Sequence, residues 1–511
     1  MSEQPTAYQS PNTIAPPPTL LKWLVWLLVI GGVLTVVGAS IGIYAFREWV
    51  PPRYQVTYSA QFPILQVVLP DGPAANTVLP TPQVEVTSSV PLEALLGAPA
   101  ESTEEAFDEP TEAAPAEAAT VEGDAVAENA VVMVPTATTT AVPTDTPTET
   151  LPTPTSVPPT AAPSTSKSQS VAAPTEVIAA AEPTAETVAM VSSTLPLPPA
   201  NARNFGFTYV QQSWNNCGPA NITMALSYYG WRNDQRYAQS RLRGAIEDRN
   251  VTPGEMVDFV NADTQVRALY RVGGDMETLK RLVAAEFPVV IETGTTFEGS
   301  EWLGHYQTVV GYDNGAGEFY VYDSWIPSDQ GLPIEYDEFD RWWQHFTRTF
   351  IVLYPPEREN EVMRLLGPLE SEREAYMIAL QTAQQSVRED PTNGFALFNL
   401  GRAYTYLEDY SSAAAAFDRA RMAGVPWRMM WYAFEPFEAY LETERYSDVL
   451  ALVESNATTL GTGGYVEETW YWAGRVHEAQ GNQAEAASNY RRALQQNTRF
   501  DQAEAALERV S

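Results

Sequence analysis

The pattern of apolar and polar residues divides the chain into stretches of different kinds. From Trp23 to Phe46 there are 24 consecutive residues without a charge. As one helix this stretch would reach about 36 Å at ~1.5 Å per residue, enough to cross a bilayer. It is longer than the apolar part of a cleavable signal peptide and is preceded by a long flank, so it reads as an uncleaved anchor. After a mixed stretch of Val, Ile and Pro, the region from about 96 to 200 is dominated by Ala, Thr, Pro, Glu and Ser without apolar periodicity. Such a composition cannot bury a core, and residues 47–200 read as an extended, disordered acidic linker. Regular patterning begins near residue 201. Ile222, Leu226 and Tyr229 repeat on one helical face, with Pro219 suited to the first turn and Gly230 to the stop. Thr252, Pro253 and Glu255 announce a second helix with a capping box, and a third is predicted over Asp275 to Ala285, followed by an apolar strand from Pro288 to Glu292. Strands over 305–312 and 318–325 flank the turn DNGAG. Beyond Pro356 the pattern is helical to the end.

Charge and cysteine content narrow the chemistry. The 64 acidic against 30 basic residues repel nucleic acid and anionic lipid, so no nucleic-acid partner is expected. The single cysteine, Cys217, excludes an intramolecular disulfide, and no cysteine cluster could hold zinc or iron-sulfur. No cofactor or metal is expected. Cys217 falls at a predicted helix N-terminus, where the dipole and unpaired N–H groups favour a thiolate. The simplest hairpin register pairs Tyr312 with Glu318, so that Gln307 faces Asp323 and His305 faces Trp325. His305 and Asp323 then share one face as diagonal neighbours, about 7–8 Å apart between backbones. A slip of one residue would separate them. A Cys-His-acid set can work as base, orienter and nucleophile at a carbonyl carbon: His305 takes the thiol proton and Asp323 holds the imidazole. Of the other two histidines, His345 in RWWQHFTRTF is expected among packed aromatics, and His477 in a structural helical position.

The blocks QQSWNNCGPA, GGDMETLKRLVAAEFPVVIE, GHYQTVVGYD and YVYDSW, spanning roughly 203–355, resemble the papain-like cysteine peptidases typified by the bacteriocin-processing, double-glycine-leader peptidases, in particular their standalone relatives. The resemblance implies an α+β papain-like domain over 201–356, with Cys217 as nucleophile, His305 as general base and acid, and Asp323 as the orienting residue. It also implies a glutamine that donates to the oxyanion together with the Cys217 N–H. Gln211, six positions upstream of the cysteine, has the spacing usual in papain-like enzymes and is slightly preferred. Gln212, five upstream, is the alternative. No GxxxxGK[ST] loop or multi-span membrane region follows, so the chain does not read as a complete peptidase-transporter, and a leader-peptide substrate is not implied. The same triad would serve an amidase or a transglutaminase-type acyl transfer. The competing class is a non-catalytic, peptide-binding envelope scaffold.

In the helical part, Leu397, Gly401, Tyr404, Ala413, Phe417 and Ala420 have the spacing of the tetratricopeptide repeat. Trp470, Gly474, His477, Ala486, Tyr490 and Ala493 occupy the same places further on. Residues 357–511 therefore resemble an all-α tetratricopeptide-like repeat domain, which implies a protein or peptide partner held on the concave surface. The expected organisation is multidomain: a polar tail over 1–22, an anchor over 23–46, the linker over 47–200, the peptidase domain and the repeats. Arg47 and Arg53 against Lys22 mildly oppose an N-inside arrangement. The Thr/Pro-rich segment after the anchor argues for placing the C-terminal domains outside a membrane that the chain crosses once. The expected partners are a peptide or protein substrate, a protein on the repeats, and the membrane.

Overall fold

The structure, a computed structural model, describes residues 18–48, 78–83, 90–97, 195, 197–245, 247–296, 301–328, 330–458 and 465–511. The N-terminal tail before residue 18 and most of the expected linker lie outside the described residues. Helix α1 (Pro18–Glu48) contains an apolar window, Trp26–Tyr44, of mean hydropathy 2.2.

Between Asn201 and Tyr354 the chain forms a seven-stranded antiparallel sheet with helices on both faces. The strands are β1 (Asn201–Arg203), β2 (Arg267–Arg271), β3 (Val289–Thr295), β4 (Leu303–Asp313), β5 (Glu318–Asp323), β6 (Leu332–Glu335) and β7 (Phe350–Tyr354). Their order is β2-β7-β3-β4-β5-β6, with β1 paired to the far end of β4. A short helix α2 (Leu92–Leu96) precedes the sheet. Within it lie α3 (Cys217–Ser227), α4 (Gln235–Leu242), α5 (Pro253–Asp263), α6 (Met276–Ala284) and α7 (Tyr336–Trp343). Alternation along the strands sorts the core into two layers. Val290, Ile351 and Leu353 pack with Ile222, Leu226 and Met256 of α3 and α5, whereas Val289, Ile291, Phe350 and Val352 pack with Leu279 and Leu282 of α6. The capping box of α5 forms as the sequence requires: Thr252 accepts from the Glu255 N–H and Glu255 accepts from the Thr252 N–H. Helix α6 starts on Asp275, whose side chain accepts from the Thr278 N–H.

The hairpin register differs from the simplest expectation at one end and agrees at the other. Near the turn Asp313 pairs with Glu318 and Tyr312 with Phe319, one residue off. A bulge between Val309 and Gly311 absorbs the difference, so that Val309 faces Val321 and Gln307 faces Asp323. An extra residue in one strand of an antiparallel pair shifts its register without breaking the sheet.

The C-terminal region is helical: α8 (Glu359–Leu366), α9 (Glu372–Glu389), α10 (Gly394–Tyr406), α11 (Tyr410–Ala423), a 3-10 turn (Trp427–Trp431), α12 (Glu435–Glu442), α13 (Tyr446–Thr458), α14 (Glu467–Ala479), α15 (Gln483–Gln496) and α16 (Asp501–Val510). Small residues set its helix spacing. A Cβ at Gly401 would lie 2.5 Å from the Phe417 ring, and one at Gly474 2.4 Å from the Tyr490 ring. The sheet domain and the helices share core. Val362, Leu366, Ala375 and Ala379 join the sheet's own cluster, while Phe346 and Trp302 pack into the helical one. The stretch 47–200 is not linker throughout. Residues 78–83 and 90–97 lie against the helices, with Leu79 and Leu95 buried, because apolar residues interrupt the polar composition there.

Candidate active site

Helix α3 begins at Cys217 after Asn216, whose side chain makes no cap to the helix. The preceding turn is held instead by Gln235, whose Oε1 accepts from the Ser213 N–H at 2.9 Å and from Asn216 Nδ2 at 2.6 Å, while its Nε2 donates to the Gln211 carbonyl at 2.6 Å. Buried Arg243 adds bonds to the Trp214 carbonyl at 2.9 Å and to Asn216 Oδ1 at 3.3 Å. Asn215 sits at φ 51, in the left-handed region. Cys217 itself is half-buried.

His305 on β4 and Asp323 at the end of β5 are both buried, and His305 Nε2 lies 3.0 Å from Asp323 Oδ1. The thiol of Cys217 lies near the same imidazole and helps to raise it. With Nε2 committed to Asp323, Nδ1 is the nitrogen left for the sulfur. Burial opposes a charged imidazole here, but the Asp323 charge and hydrogen bond and the Cys217 contact outweigh it and push His305 up to about 10. Burial likewise works against the Asp323 carboxylate. The His305 charge, with bonds from His305, Gln307 and the Trp325 N–H, holds it down at about 2. The carboxylate is fully engaged: Oδ1 also accepts from the Trp325 and Ile326 N–H groups at 2.7 and 3.1 Å, and Oδ2 from Gln307 Nε2 at 2.8 Å.

The two glutamines are placed differently. Gln211 is exposed, and its carbonyl is held by Gln235. Gln212 is half-buried and tied to the loop after Asp323: its N–H donates to the Ser324 carbonyl at 2.9 Å, and its Oε1 accepts from the Ser324 hydroxyl at 2.7 Å. That arrangement leaves Gln212 Nε2 as a spare donor. His345 stacks on Phe395 with ring centroids 3.7 Å apart, and burial lowers it to about 4. His477 lies on α14, far along the chain in the helical region.

Residues 206–351 match the Peptidase_C39 like family. This segment is similar to the C39-like peptidases. Solved structures similar to it include a C39-like peptidase candidate from Bacillus anthracis, 18% identical over 30% of this chain and 96% of that one, with TM-score 0.26. A double glycine motif protease from an AMS/PCAT transporter, in complex with the leader peptide, is 18% identical over 31% and 99%, with TM-score 0.23. The peptidase domain of Streptococcus ComA, a bifunctional ABC transporter of quorum sensing, is 17% identical over 30% and 99%, with TM-score 0.24. No curated protein matches the chain.

Several residues around the C39-like site were not singled out by sequence. Asn221, one turn after Cys217, is buried. Its Nδ2 donates to the Cys217 carbonyl at 3.0 Å, the Tyr306 carbonyl at 2.7 Å and the Ser324 hydroxyl at 3.0 Å, and its Oδ1 accepts from Thr308 Oγ1 at 2.9 Å. It pins the nucleophile helix to the strands that carry His305 and Asp323. A lone amide on an otherwise apolar helical face was the available signal. Tyr306 donates to Glu292 Oε1 at 3.1 Å, and burial, chief among the causes, raises Glu292 to about 8. Tyr432, from the helical region, packs beside Gly304, next to His305. A Cβ on Gly304 would come within 3.0 Å of its ring, which explains the glycine of the Gly-His pair. Nothing in the sequence placed Tyr432 there.

Proposed function

We propose that the C39-like domain is an active cysteine peptidase in which Cys217 attacks the scissile carbonyl, His305 moves the proton and Asp323 orients the imidazole. The observation that carries this reading is the buried pairing of His305 Nε2 with the Asp323 carboxylate at 3.0 Å, with the Cys217 thiol near enough to the same ring to raise it. His305 takes the thiol proton as the sulfur attacks. After attack the imidazolium gives its proton to the leaving amine, and water then releases the acyl group from sulfur with His305 acting as base. The oxyanion is assigned to the Cys217 N–H and Gln212 Nε2, in preference to the exposed Gln211. Trp325 and Ile326, which follow Asp323 and are 52% and 41% exposed, offer an apolar lip for a substrate side chain. The helical region is read as tetratricopeptide-like, and α1 as a membrane anchor with the folded domains outside. An impermeant protease that degrades a C-terminal tag only after the cells are opened would overturn that placement.

The decisive test of activity is labelling by a thiol-reactive peptide electrophile. Cys217 is expected to react, and His305→Ala to slow the reaction by on the order of 10²-fold or more. If native Cys217 reacts no faster than the same thiol in the denatured chain, the domain is a binding scaffold and the peptidase reading fails.

A further inference from the structure

The helical region holds two things. Helices α10 and α14 meet the C39-like domain: Phe395 and Asn399 of α10 reach His345 and Gln344, Arg402 of α10 reaches Thr347, and Glu468 of α14 reaches Asn250. Helices α9, α10, α11 and α13 also hold residues 78–83 and 90–97. Val78 bridges to Pro426, and the Leu79 N–H donates to the Val425 carbonyl at 2.9 Å. Arg421 gives Nε to the Pro80 carbonyl at 2.6 Å and Nη2 to the Thr81 carbonyl at 2.9 Å. Asp448 accepts the Gln83 N–H at 2.8 Å, and Arg419 donates to the Val90 carbonyl at 2.9 Å. The Leu95 carbonyl accepts from Tyr404 at 2.5 Å and Gln384 at 3.1 Å, and the Leu96 carbonyl from Arg388.

Every one of these bonds is to main chain, so the helices read the backbone of the two stretches, while Leu79 and Leu95, 2% and 0% exposed, fill apolar seats. The receiving side is built for it. Arg421 and Asp448 are a buried ion pair at 2.8 Å, with side chains 1% and 0% exposed. Part of the hydrogen-bonding capacity of both is met by residues 80–83. Without the segment those buried charges would lose partners, a cost that drives association. Leu195, further along, packs against Gly367 of the same folded body. The chain on both sides of residues 98–194 is therefore fastened to one unit.

We propose that residues 78–83 and 90–97 are a built-in peptide ligand, and that their seat on the helical region is a noncovalent clasp holding the N-terminal part of the chain to the folded body. The clasp works independently of peptidase activity. If α1 is the anchor, residues 49–77 and the clasp, rather than the Pro/Thr-rich stretch, set the reach from the membrane. Proteolysis within 98–194 then leaves the peptidase attached.

The test uses the full chain in detergent with a specific protease site inserted between 98 and 194. After complete cleavage the two fragments are expected to co-elute on gel filtration at about 1 μM. A Leu79→Asp, Leu95→Asp chain, which leaves the helical region unaltered, is expected to separate at least about tenfold more readily. A synthetic peptide of residues 78–97 should displace the cut N-terminal fragment. Separation of the parent fragments at that concentration overturns the proposal, as does a double variant that holds together as tightly as the parent. If the variant misfolds, the cleaved parent and the competing peptide decide the matter.

Discussion

At the scale of single residues, the site turns on where protons sit. His305 is raised from 6.5 to about 10 and Asp323 lowered from 3.8 to about 2. A raised base stabilises the fold fully below its ordinary value, and that contribution is lost as pH rises through about 10. A depressed acid stabilises the fold above its ordinary value, and its contribution is lost as pH falls through about 2. Both contributions are therefore present together near pH 4 to 6.5. The His305 ring signals in an NMR titration are expected to stay flat from about pH 5 to pH 8, and Asp323→Asn to bring a titration into that range. A ring that titrates in the parent near its ordinary value would break the ion-pair reading. The oxyanion assignment has its own measurement. Gln212→Ala is expected to lower kcat by on the order of 10²-fold, while Gln211→Ala stays within about threefold, as suits an exposed side chain.

At the scale of elements, positions came through the sequence where a local rule fixes them and failed where distant chain does. The start of α3 at Cys217, the Thr252 capping box and the facing of Gln307 with Asp323 follow from Pro, Thr-x-x-Glu and strand alternation. The bulge at Val310 was invisible, because a turn such as DNGAG accepts either register and only the whole sheet selects one. Asn221 was legible only as an amide out of place, and the clasp residues only as leucines in polar surroundings. A second feature beyond sequence lies where the start of α5 meets α14. Buried Asp248 and Glu467 and half-buried Glu255 and Glu468 gather there, with Arg243 and Arg499 as nearby cations. Burial, and then the neighbouring acids, raise Asp248 and Glu468. Burial raises Glu467, and it is the main cause that lifts Glu255 to about 7. Acids raised on folding favour the folded state most at low pH, and that advantage drains away as pH climbs from the ordinary value through the raised one. Thermal melts should therefore show stability falling from about pH 5 to pH 8, and Glu255→Gln, which keeps a capping-box side chain, should flatten the fall. An unchanged slope in the variant would remove Glu255 from that account.

At the scale of the whole molecule, the helical region packs into the same folded body as the C39-like domain rather than forming an appendage. Trp302, Phe346 and Tyr432 interlock beside the strand that carries His305, with Trp302 and Phe346 centroids 5.9 Å apart and Phe346 and Tyr432 5.7 Å apart. Arg249, between the nucleophile turn and the helices, lies over Trp214 at 5.8 Å and Trp431 at 5.5 Å. Composition and periodicity separate the two regions because each has its own local pattern. The contact between them rests on side chains about fifty or more residues apart, which no local pattern records. If the helices set the position of His305, a change at Tyr432 must alter what a change at Gly304 costs. Gly304→Ala would drive a methyl against the Phe346 and Tyr432 rings, where the Cβ has 2.9 to 3.0 Å of room. In the parent this should slow Cys217 labelling by about tenfold or more. Tyr432→Ala removes one of the two obstacles together with its packing on Phe346, so it should slow labelling on its own yet soften the effect of Gly304→Ala. The double-mutant cycle is expected to give a coupling above ~0.5 kcal/mol. Strict additivity, measured with both single variants folded, would mean that the helices support the domain without positioning its catalytic strand.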